Sequence, residues 1–223
     1  GTFFFKNKNV LSCGLLAWVG AEPSMFSRDK FNMLGIANEE RGTHSCGIAI
    51  DGELFKGVES NSTNRWNRFM VKDYYPDPQQ IPVVIGHTRH ATSPRPYTAE
   101  NAHPFKDEED NGNYMIGAHN GVIRNYEELA SKYNVDSTGK IDSQVLLEIL
   151  SKDKTDVLLD YNGAAALLIY STNDKETLWV FKGESKNYTM GIPTEERPLF
   201  FYQESDNSMY ISSLAGSLHS ICK

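Results

Sequence analysis

Apolar and polar positions along the chain lay out short strands on either side of two central helices. Gly14–Gly20 (GLLAWVG) is an apolar run closed by glycine and reads as a buried strand. Ser27–Glu40 spaces Phe31, Leu34 and Ala37 in a loosely helical way. Ser45–Asp51 and Glu53–Val58 form a hairpin pattern around Gly52. Asn61–Lys72 carries Trp66, Phe69 and Met70 at helical spacing behind a capping Asn61. Pro82–Thr88 is a β-branched strand that runs into the proline-broken segment His90–Phe105, and Lys106–Asp110 reads as a solvated loop. Asn113–His119 predicts another strand, closed by a turn at Asn120-Gly121. Asn125-x-x-Glu128 has the form of a capping box opening a helix through Tyr133. Asp142 reads as the cap of a second helix, with Val145, Leu146, Ile149 and Leu150 on its inner side. Strands follow at Gly163–Tyr170, Thr177–Phe181, Leu199–Gln203 and Met209–Ser212, then a helix over Leu214–Cys222. This order predicts a layered α+β domain whose sheet faces are covered by helices.

Composition narrows the function classes. The 223 residues are 39% hydrophobic and 23% charged, ordinary for a globular chain. A net charge of −7 gives no electrostatic reason to expect nucleic acid or an anionic membrane as partner. No apolar run approaches the ~20 residues of a membrane span. Cys13, Cys46 and Cys222 are an odd set without paired spacing, which fits a reducing, cytoplasmic setting better than a disulfide framework.

Reactive residues gather in four stretches at strand ends: Cys13-Gly14, Arg41–Gly47, His87–Thr92 and His119–Gly121, with Asp142 as a fifth point. A thiol followed by glycine leaves room for a substrate and an accessible backbone N–H, but it needs a base to become a nucleophile. Arg89 can grip a carboxylate with its planar fork. Asn120-Gly121 offers a side-chain amide beside an unobstructed N–H, a pair suited to an oxyanion, and Asp142 can pair with an ammonium. These are the parts needed to hold an α-amino acid and attack its side-chain carbonyl. Each also has a plain reading: Cys46 and Cys222 as core packing, Asn-Gly as a turn, Asp142 as a cap. His87, His90, His103 and His119 fall close together, but no carboxylate-bearing motif accompanies them, so no metal and no other cofactor is expected.

The order and wording of these stretches resemble the class II glutamine amidotransferases. The likeness is carried by Cys13-Gly14-Leu15-Leu16-Ala17, Arg41-Gly42-x-x-Ser45-x-Gly47, His87-Thr88-Arg89-x-Ala91-Thr92, Asn101-Ala102-His103-Pro104, His119-Asn120-Gly121 and Ile141-Asp142-Ser143. The resemblance implies a four-layer αββα N-terminal-nucleophile sandwich with two antiparallel sheets. It implies that Cys13 is the nucleophile with its own α-amino group as base, and that Asn120 and Gly121 form the oxyanion hole. Arg89, assisted by Thr92, would hold the α-carboxylate of L-glutamine and Asp142 its α-ammonium, with Arg41 framing the pocket floor. His90 stands where the family places an aromatic residue, and His44 where it prefers an acidic one. Residues 1–12 are expected to be an N-terminal extension removable as a propeptide, and residues 13–223 the amidotransferase domain. A synthase domain, separate or trimmed, would receive the ammonia. The same residues would serve a stand-alone γ-glutamyl amide hydrolase, and an unprocessed chain would bind without turnover.

Overall fold

A computed structural model describes residues 13–57, 66, 75–90, 98–183, 188–189, 192–193 and 197–222. The expected propeptide, most of the helix read over Asn61–Lys72, and Thr92 lie outside the described residues.

The first half contributes β1 (Gly14–Val19), α1 (Arg28–Asn38), β2 (Ser45–Ile50), β3 (Glu53–Gly57) and β4 (Val83–Arg89). The middle contributes β5 (Phe105–Glu108), β6 (Tyr114–Gly121), α2 (Tyr126–Tyr133), α3 (Asp142–Ser151) and a single helical turn, α4 (Val157–Asp160). The chain then forms β7 (Ala165–Ser171), β8 (Trp179–Gly183), the two-residue strands β9 (Tyr188–Thr189) and β10 (Ile192–Pro193), β11 (Phe200–Gln203), β12 (Met209–Ser212) and α5 (Ala215–Ile221). One large sheet runs β11-β12-β1-β4-β2-β3 and a second β5-β6-β7-β8, while β9 pairs with β10, with antiparallel neighbours throughout.

Side-chain alternation builds the layers. In β1, Leu15 and Ala17 face the second sheet and, beside Val83 and Ile85 of β4, pack with Ile116, Ala118, Ala166 and Leu168. Leu16 and Trp18 face the other way, onto Phe31 and Leu34 of α1 and Leu218 of α5. In β7, Ala166 and Leu168 enter the same inter-sheet core, whereas Ala165, Leu167 and Ile169 pack under α2, α3 and α4. The result is helix, sheet, sheet, helix. Three continuous apolar contacts hold it, each fully buried Leu or Ile contributing about 1.5–3 kcal/mol.

Several local expectations are corrected. Lys106–Glu108 is not a loop but part of β5, because the ladder to β6 pairs it with Tyr114–Ile116. Asn120-Gly121 is not a turn; both residues stay in β6, opposite Ala166 and Ala165. Asn125 makes no side-chain cap for α2. Its amide instead bridges to the Asp160 carbonyl at 3.1 Å and the Asn162 N–H at 2.8 Å. Asp142 is the first residue inside α3 rather than its cap, which is Ile141. Cys46 and Cys222 are buried among apolar side chains, as their plain reading has it. Among the described residues, no helix is long and apolar enough to cross a membrane.

Candidate active site

The parity that builds the core also places the reactive groups. Cys13 continues the face of Leu15 and Ala17, Arg89 that of Val83 and Ile85, and Asn120 that of Ile116 and Ala118. All three therefore converge at one end of the inter-sheet layer. Arg41 Nε donates to the Cys13 carbonyl at 2.9 Å, and Asn120 Nδ2 donates to the same oxygen at 2.7 Å. The Cys13 Sγ accepts the His90 N–H at 3.3 Å and lies 3.5 Å from the His90 carbonyl. Four separated motifs thus meet at one residue.

Packing also requires Gly14 to be small. A Cβ there would stand 2.5 Å from Thr88 Oγ1 and 2.8 Å from Asn38 Oδ1, so its absence lets β1 dock between β4 and α1. Gly121 is required by backbone and space together. Its φ of +154° lies where side chains are strained, and a Cβ would come within 2.1 Å of the Ala164 carbonyl.

Burial pushes the Cys13 thiol above its ordinary value. The His90 N–H and the positive charges of Arg89, Arg197 and Arg41 pull it back toward ionisation. Arg41 itself is lowered, by burial first and then by repulsion from Arg197, which marks two guanidinium groups sharing one partly enclosed space. Arg197 precedes β11 in no recognisable motif, so sequence reasoning passed over it. Arg89 is buried at the end of β4, opposite Ser45.

Asp142 opens α3, held by two backbone N–H groups. Its Oδ2 accepts the Ile123 N–H at 2.8 Å, and its Oδ1 accepts the Ser143 N–H at 2.8 Å. His44 and His90, the two departures from the family pattern, stack on each other with centroids 4.7 Å apart. His87 and His103 are also in ring contact, at 4.3 Å, deep between the sheets. Among the described residues, no three His, Cys, Asp or Glu side chains are arranged as metal ligands. A separate recess of about 340 Å³ lies at the far end of β6 and α3, lined by Glu109, Asp110, Asp153, Asp174 and Trp179. It contains none of the predicted site residues.

Comparison with known proteins gives the family and the fold. The profile of the glutamine amidotransferase domain matches residues 87–220. The chain belongs to the class II glutamine amidotransferase family, whose fold is the N-terminal-nucleophile sandwich of two antiparallel sheets. It is 30% identical over 194 residues to the glutamine–fructose-6-phosphate aminotransferase of Staphylococcus aureus strain Mu50, covering 78% of this chain and 29% of that protein. The Staphylococcus epidermidis RP62A enzyme of the same name is 32% identical over 190 residues, with the same two coverages. The chain thus spans 29% of the length of the curated relatives it matches. Among solved structures, the glutamine phosphoribosylpyrophosphate amidotransferase of B. subtilis, complexed with ADP and GMP, superposes with a TM-score of 0.63 at 22% identity, over 94% of this chain and 43% of that one. A structure described as the allosteric regulatory enzyme of purine biosynthesis gives a TM-score of 0.65 at 22% identity, with the same coverages.

Proposed function

We propose that this domain hydrolyses the side-chain amide of L-glutamine to glutamate and ammonia, and passes the ammonia to a synthase partner. The observation that supports it most directly is the convergence on Cys13 of Arg41, Asn120 and the end of the Arg89 strand. In the proposed reaction the Cys13 sulfur attacks the amide carbon and its proton passes to the free α-amine of Cys13. The C–S bond forms as the carbonyl oxygen takes negative charge beside Asn120 and the Gly121 N–H. The C–N bond then breaks, and the proton held by the amine leaves with ammonia. Water, activated by the same amine, hydrolyses the thioester and restores the thiol. Arg89, with Thr92, grips the α-carboxylate; Asp142 takes the α-ammonium; Arg41 holds the Cys13 backbone.

An amine acylated by Ser12 offers no base, whereas a free one titrates near ~7.7–8.0, well placed for a thiol proton. The active form in this reading therefore starts at Cys13, with residues 1–12 removed as a propeptide. The test compares the full chain, the chain trimmed to Cys13, and its Cys13→Ala variant in a glutamate-release assay. Trimming is expected to raise the rate by about 10²–10⁴ and Cys13→Ala to abolish it. An electrophilic glutamine analogue should label Cys13 and spare Cys46 and Cys222. Equal rates from the intact and trimmed chains would overturn the α-amine as base, and labelling of another cysteine would overturn the nucleophile.

A further inference from the structure

Behind the strand that carries Asn120 and Gly121, a buried imidazole joins two parts of the site. His119 has the opposite parity to Asn120, so it points away from the sulfur and into the helix layer. There its Nδ1 lies 2.8 Å from the Ser143 hydroxyl. Ser143 Oγ in turn lies 3.3 Å from Asp142 Oδ1.

The protons along this chain can be assigned. An ionised carboxylate only accepts hydrogen bonds, so Ser143 directs its single proton at Asp142 and accepts from Nδ1–H of His119. The neutral imidazole then carries its lone pair on Nε2. That atom faces Gly121, where a Cβ would come within 2.7 Å of it. Burial keeps His119 below the ordinary imidazole range; the Asp142 charge opposes this and Arg197 assists it. One side chain therefore touches the residue after Asn120 and, through one hydroxyl, the Asp142 carboxylate.

We infer that His119 and Ser143 are positioning residues, which orient the Asp142 carboxylate for a substrate ammonium and tie it to the Asn120–Gly121 strand. The inference rests on the glutamine reading above. Both side chains lie on the helix side of the sheet, behind the groups that face the sulfur. Without the Ser143 hydroxyl, Asp142 keeps its two backbone N–H bonds but loses its side-chain link to His119 and so to the Asn120–Gly121 strand. Asparagine at position 119 can present an N–H near the place of Nδ1, whereas glutamine presents one near Nε2 and cannot reach Ser143.

The test measures glutamine binding and hydrolysis separately. Ser143→Ala should raise KM for glutamine about tenfold, with kcat within about twofold. His119→Gln should raise KM similarly, and His119→Asn should restore it toward wild type. The double variant Ser143→Ala/His119→Gln should be no worse than His119→Gln alone, because both break one chain. Calorimetric titration of L-glutamine into protein carrying Cys13→Ala, with and without Ser143→Ala, reads the same loss as Kd without needing turnover. An unchanged KM and Kd in Ser143→Ala, or additive losses in the double variant, would overturn the relay. A wild-type protein that binds glutamine without hydrolysing it would overturn the proposed reaction, and the Kd comparison would still decide the relay.

Discussion

At the scale of single residues, the proposed reaction separates groups that would hold the substrate from groups that would meet charge formed during reaction. Arg89 and Asp142 are assigned to the α-carboxylate and α-ammonium, neither of which changes charge as the amide is cleaved. Their loss removes binding shared by ground and transition states. Arg89→Lys and Asp142→Asn are therefore expected to raise KM with little effect on kcat. In the proposed reaction Asn120 meets charge that exists only in the transition state, so Asn120→Ala should lower kcat by about 10²–10³. Steady-state kinetics on the three variants checks the split; a rise in KM confined to Asn120→Ala would reverse the assignments. These residues were legible because each is chemically special and falls in a short motif. Arg197 was not legible: its influence on Cys13 comes from where the chain before β11 is laid, and nothing in its neighbours marks it.

At the scale of elements, the hairpin between β2 and β3 shows what a strand pattern leaves out. Asp51, at φ +51°, turns the chain together with Gly52. Its carboxylate also accepts the N–H groups of Gln79 at 2.7 Å, Gln80 at 3.0 Å and Ile81 at 2.8 Å. One side chain thus closes a turn and anchors the entry to β4, which ends at Arg89. Asp51→Ala loses these acceptors and strains the turn, so it should destabilise the protein by about 1–3 kcal/mol. Asp51→Asn, which tolerates the left-handed conformation and keeps one acceptor, should cost less. Urea unfolding of both variants measures the difference, and an Asp51→Ala variant as stable as the parent would show that the carboxylate is not the anchor. The hairpin itself was readable from Gly52 and its flanking apolar runs. The capping box at Asn125 was read from a local pattern and is not made, because the amide finds stronger partners at Asp160 and Asn162. Local signals mark where an element starts; distant partners decide what its polar side chains do.

At the scale of the whole molecule, burying imidazole in the αββα sandwich couples folding to pH. His87, His103 and His119 are all buried, and burial lowers each of them: His87 to about 3, His103 well below 6.5, and His119 in the same direction. In the unfolded chain each titrates near ~6.5. Below that pH the unfolded state binds protons that the folded state refuses, so stability rises with pH across this window. The contribution is complete above about pH 6.5 and is lost as pH falls toward the folded values. Neither ring nitrogen of His103 has a hydrogen-bond partner among the described residues. His103→Phe should therefore keep the ring packing and reduce the slope of unfolding free energy against pH, between about 6 and 5, by up to about 1.4 kcal/mol per pH unit. Urea unfolding across that range reads the slope, and an unchanged slope would mean that His103 takes up no proton on unfolding. The layering was legible from the order of strands and helices. The sheet order was not, since pairing β1 with β4 and β12 joins segments that no local pattern connects.

That sheet order has a consequence for how the protein fails. β1 is flanked on both sides, Leu16 opposite Gly86 on β4 and Ser212 on β12, and it leads directly from Cys13. A nucleophile on a loop or an edge strand can fray while the rest of the domain survives. Cys13, the nucleophile of the proposed reaction, adjoins an interior strand of a six-stranded sheet and is also tied to Arg41, Asn120 and the His90 N–H. Heat, acid or denaturant should then remove reactivity and structure in a single cooperative step, with no partly melted form that still holds its thiol in place.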